Sequence, residues 1–71
     1  MKAQTAMDLI VLDMKDVDAI TMVDKQMANF ASTGAEDHLK VACMVVKAID
    51  NTYGIGSYAK YKQTGVLPSE Q

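Results

Sequence analysis

The apolar positions between Asp18 and Thr33 fall into a single repeating stripe. Ile20, Val23, Met27 and Phe30 recur at steps of three, four and three, which is the spacing of one face of an α-helix. Val17 and Ala31 widen the stripe, while Asp24, Lys25, Gln26 and Asn29 fall mainly outside it. The pattern predicts an amphipathic helix over about residues 18–33, with Gly34 as a left-handed C′ residue just beyond it. A second stripe, Leu39, Ala42, Val46 and Ile49 with Cys43 alongside, predicts another helix over 35–52. Glu36 and Asp37 in its first turn suit the positive end of the helix dipole, and Ser32 or Thr33 is placed to cap it. The link around Thr33 and Gly34 is very short, so the two helices are expected to run antiparallel as a helical hairpin.

Ahead of the hairpin, Met7, Ile10, Met14 and Val17 keep helical spacing, and Thr5 with Asp8 makes a capping-box pattern in which aspartate replaces the preferred glutamate. Leu9 to Leu12 would equally suit a short buried strand. The chain holds no second strand for it to pair with, so a helix over about 5–14 is expected. Extended at the same period, this stripe lands on Thr21, Asp24 and Ala28 instead of Ile20, Val23 and Met27. The two stripes are out of phase by about one residue, roughly 100° of helix rotation. A turn or a kink is therefore expected between Asp13 and Asp18, with Asp16 or Asp18 as the N-cap of the 18–33 helix. Beyond Gly54 and Gly56, Ser57 is placed to cap a short helix over 57–64, and residues 66–71 are expected to fray. The resulting class is an all-α bundle built on an antiparallel hairpin, with Val23, Met27, Phe30, Leu39, Val46 and Ile49 as its core.

Size changes this picture. A chain of 71 residues buries a smaller share of its surface than a larger domain, and the usual remedies are disulfides, a metal or oligomerisation. Cys43 is the only cysteine and His38 the only histidine, which excludes an internal disulfide and leaves no zinc set. Self-association remains. Because the 35–52 stretch is apolar on more than one face, a homo-oligomer is expected, with Met44, Val45 and Met22 at the partner interface. The start, MKAQTAMDLIVLDM, places Lys2 ahead of an apolar stretch as a secretory leader does, but Asp8 and Asp13 interrupt it and no small-residue cleavage site comes after it. No run approaches the roughly 18 apolar residues of a membrane span. A cytoplasmic setting without a membrane partner is expected. The formal net charge is −2 and arginine is absent, which argues against reading double-stranded DNA.

Candidate chemistry is sparse. Asp13, Asp16 and Asp18 have neither the bend glycine nor the closing glutamate of a calcium loop, so they are read as helix punctuation. His38 and Cys43, five residues apart on one helix, point about 140° away from each other and cannot bond directly. Cys43 is read as a small core residue and His38 as a surface or interface residue. Gly54 and Gly56 begin a phosphate-loop pattern without its third glycine, and no nucleotide or hydrolase fingerprint is present. In the stretch YGIGSYAKYK, Tyr53, Tyr58 and Tyr61 interleave with lysines. Such rings suit packing on the hairpin, and Tyr53, Tyr58, Lys60 and Tyr61 would also suit a nucleotide-like anion. The run L-x-x-A-x-M in HLKVACM, with KAI after it, resembles the second helix of small phage proteins that sequester cyclic nucleotide signals. The KAI block stands one position out of register, which moves it to another helix face, and no residue role is carried over. The expected function is a non-enzymatic protein–protein interaction module, a small regulator or inhibitor of phage or mobile-element type that needs no cofactor. The alternative is an oligomeric protein that binds or sequesters a small nucleotide-like anion.

Overall fold

The structure, a computed structural model, describes residues 5–71. Lys2, the head of the leader-like start, lies outside them. The described residues are all-helical: α1 (Ala6–Leu12), α2 (Asp16–Thr33), α3 (Glu36–Tyr53), α4 (Ser57–Thr64) and a 3₁₀ turn at Pro68–Glu70. None of these helices is long and apolar enough to cross a membrane.

Local chemistry explains each start and stop. In α1 the capping box is complete: the Asp8 amide donates to Thr5 Oγ1 at 3.1 Å, and the Thr5 amide donates back to Asp8 Oδ2 at 3.1 Å. The helix stops at Asp13, and Lys15 in extended conformation (φ −71°, ψ 148°) opens α2. The phase slip is thus a full break between two helices and not a kink. Lys15, rather than Asp16 or Asp18, occupies the N-cap position. Asp16 is instead the first residue of α2, and its Oδ1 accepts the Val17 amide at 2.8 Å. At the other end, Gly34 takes the left-handed conformation (φ 71°) and donates its amide to Phe30 O at 2.7 Å. Ala35 stands at the N-cap of α3 without a side-chain bond, so neither Ser32 nor Thr33 caps that helix. Thr33 braces the link: Oγ1 donates to Asn29 O at 2.8 Å and accepts the Ala35 amide at 3.2 Å.

The most extensive helix packing is between α2 and α3, with α1 on α3 next. The buried core comprises Val11, Ala19, Ile20, Val23, Ala42, Val45, Ala48 and Ile49. Of the expected core stripe only Val23 and Ile49 are buried; Phe30, Leu39 and Val46 are half-buried, and Met27 is 43% exposed. The physical reason is the docking of α1, which brings Val11 into one cluster with Val45 and Ala48 and moves the centre of the core toward that side of α3. Three core residues are alanines, whose small side chains allow close helix approach.

Residues 66–71 do not fray as expected. Pro68 is buried and opens the 3₁₀ turn. Since proline has no amide hydrogen, the Ser69 amide is the first donor the turn leaves unmet, and it donates to Asp16 Oδ2 at 3.0 Å. Gln71 closes the segment, with Nε2 donating to Ser57 O at 2.9 Å and to Val66 O at 3.1 Å. Burial by itself raises the pKa of the Asp16 carboxyl. Hydrogen bonds from the Ser69 side chain and from the amides of Ser69, Val17 and Asp16 outweigh that effect and hold it below the ordinary aspartate value. A lowered folded-state pKa gives stability that is present above the unfolded value, about 3.9, and is lost as pH falls through the folded one. Asp16→Ala should cost about 1–2 kcal/mol at neutral pH and release amide protection at Ser69. Denaturant titrations at falling pH should show a shallower acid loss in that variant than in the wild type. Equal acid slopes would refute the assignment.

Candidate functional site

An open groove of about 670 Å³ lies between α2, α3 and α4, within the usual range for binding pockets. Val23 and Met27 of α2 and Leu39, Ala42 and Val46 of α3 make an apolar floor. These are mostly the residues of the two expected core stripes. With the core centred on the α1 side, Met27, Leu39 and Val46 keep part of their surface open above the buried Val23 and Ala42.

The third wall is α4, and its position has a specific cause. The chain leaves α3 through Gly54 (φ 123°) and Gly56 (φ 86°), backbone angles that L side chains rarely adopt. Gly56 holds the N-cap place without a side chain to cap with, and Ser57, expected there, is the first helical residue. The cap comes from α3 instead: Asp50 Oδ1 accepts the Tyr58 amide at 3.1 Å and the Ser57 hydroxyl at 3.3 Å. Tyr58 thereby stands at the groove edge with Asp50, while Tyr61 packs beside it, ring centroids 6.3 Å apart at 42°.

The rim is charged. Lys62 Nζ lies 5.7 Å from the Tyr58 ring centroid and 3.9 Å from Asp24 Oδ1, which ties α4 to α2. Both side chains of that pair are more than half exposed, so the tie is weak and easily displaced. Lys47 also stands on the rim and forms no ion pair among the described residues. A second, smaller depression of about 190 Å³ lies near the start of α1, where Asn51 Nδ2 donates to Asp8 Oδ1 at 3.3 Å.

The sequence-predicted residues are distributed unevenly around this groove. Of the tyrosine–lysine set, Tyr58 lines it, whereas Lys60 points elsewhere and is exposed. Tyr53 faces away toward Asp16: burial first, and then the Asp16 charge, push its hydroxyl pKa up. The lysine that joins Tyr58 is Lys62. Helical spacing already carried that signal, because positions 58 and 62 share a face while 58 and 60 are about 160° apart. Of the proposed partner-interface residues, Met44 is 50% exposed and Met22 is half-buried against the core. Val45 is wholly buried, so it belongs to the core and not to an interface; α1 covers the face it was expected to offer. Cys43, expected in the core, is exposed and lines the groove. His38 Nδ1 lies 3.0 Å from Gln26 Oε1 and so links α3 to α2. Asp13 and Asp18 are exposed, and among the described residues no three His, Cys, Asp or Glu side chains are placed to hold a metal ion.

Compared with known proteins, the chain matches no family model, no curated protein and no solved structure. The functional reading rests on the groove itself.

Two measurements check this geometry. Met44→Lys should leave the melting temperature nearly unchanged, whereas Val45→Lys should abolish cooperative unfolding, because an unpaired ammonium would enter the core. Asp50→Ala should cost about 1–2 kcal/mol and lower amide protection selectively across residues 57–64.

Proposed function

We propose that the protein is a non-enzymatic protein–protein interaction module, a small regulator or inhibitor that works by occupying a partner. In this reading α2 and α3 form an antiparallel helical hairpin, and the groove they make with α4 receives the partner. One observation carries it: the apolar floor is left open, with Met27 43% exposed and Leu39 and Val46 half-buried. An open trough of that kind suits an amphipathic helix, which would lay its i, i+3 or i+4, and i+7 side chains on the floor. Lys47 on the rim favours an acidic residue on the partner's flank. The contact of His38 with Gln26 and the opening of Cys43 into the groove fit this reading, since the imidazole is not aimed at the thiol.

A second reading has its own observation. Tyr58 beside Lys62 and Lys47 offers a ring and two ammonium groups to a flat, small, nucleotide-like anion.

Affinity capture with the intact chain, paired with thermal shift against a nucleotide panel, separates the two. The interaction module predicts partners that are retained by the wild type and lost in Leu39→Asp/Val46→Asp, with no nucleotide-induced shift. A nucleotide shift that disappears in Tyr58→Ala/Lys62→Ala, without any groove-dependent partner, would replace it with the small-ligand reading.

A further inference from the structure

We infer that the outer face of α1 joins two copies of this chain about a twofold axis. That face lies apart from the groove, which α1 does not line, and the contact is independent of what the groove binds.

The seven residues of α1, AMDLIVL, contain one polar side chain, Asp8, and that one is buried. Met7, Asp8 and Val11 face the rest of the protein. At 100° per residue, Leu12, Leu9 and Ile10 then span about 160° of the opposite side. They are 51%, 58% and 50% exposed, and Val17 in the first turn of α2 is 47% exposed. A helix that is apolar all round is ordinarily covered all round. Here one side is covered by α3 and the other by nothing among the described residues.

Three features favour a second copy as the cover. The first is area: Leu9, Ile10 and Leu12, each exposed by about half, carry on the order of 300 Å² of apolar surface. One side of a standard interface contains roughly 450 Å². The second is charge. The exposed residues just after the patch are one acid and one base, Asp13 and Lys15, and neither forms an ion pair among the described residues. In the inferred dimer the twofold axis passes between them and sets Asp13 of one copy against Lys15 of the other. The third is the modest core, eight residues of which three are alanine, in a chain whose size calls for association.

Sedimentation velocity and light scattering on the full chain across the micromolar range test the interface. A dimer is expected for the wild type. Leu9→Glu/Leu12→Glu should be monomeric at the same concentrations with an unchanged far-ultraviolet circular dichroism spectrum. Asp13→Lys should weaken the dimer by about tenfold, and the exchange Asp13→Lys/Lys15→Asp should restore it. If the glutamate variant fails to fold, the charge-exchange pair decides. A monomeric wild type, a dimer indifferent to Leu9 and Leu12, or an exchange that fails to restore association would each overturn the inference. Variants of the groove floor, Leu39→Asp/Val46→Asp, should remain dimeric, which separates this interface from the proposed partner site.

Discussion

A single carboxylate oxygen, Asp50 Oδ1, takes the Tyr58 amide and the Ser57 hydroxyl, and the placement of α4 depends on it. Helix α4 begins after a glycine, with no capping side chain of its own; the Ser57 amide reaches Gly54 O at 3.1 Å, and without Asp50 the Tyr58 amide would be left to water. Supplying the cap from the last turn of α3 does two things at once. It meets an obligatory hydrogen-bonding need, and it fixes the short helix at one place along the longer one. The same device recurs at the 3₁₀ turn, where Asp16 from the start of α2 accepts the Ser69 amide. At α1 the aspartate is tethered instead: Asp8 closes its own capping box while Asn51 of α3 bonds to it. Aspartates thus join parts of the chain that are far apart in sequence, in a structure with one long, exposed ion pair among its described residues.

The groove is a consequence of this arrangement. A core centred on Val11, Val45, Ala48 and Ile49 uses the side of α3 that α1 covers, and α4 is held at the margin of the other side without closing it. What remains between α2, α3 and α4 is apolar floor and charged edge. Amphipathic stripes that in a larger domain would meet another layer here meet solvent.

The all-helical class was legible because stripes at steps of three and four have no other economical reading, and no strand partner was available. The break between α1 and α2 was legible as a phase difference, although Lys15 and not an aspartate occupies the cap. The core was only partly legible. Periodicity locates apolar faces but does not say which face another helix will cover, and Val45 and Met44, one residue apart, ended on opposite sides of that decision. The role of Asp50 and Asp16 was not legible at all, because their partners lie eight and 53 residues away and no local pattern announces them. Lys60 and Lys62 show the reverse case: the information was present in the helical period, and proximity to the tyrosines concealed it.

The exposure of Cys43 has a practical side. It is the only thiol in the chain, it opens into the groove, and no other cysteine competes for a reagent. A small thiol-reactive fluorophore or spin label would therefore report from the floor of the groove in the unaltered protein, making its occupancy visible as a spectral change without any engineered attachment point.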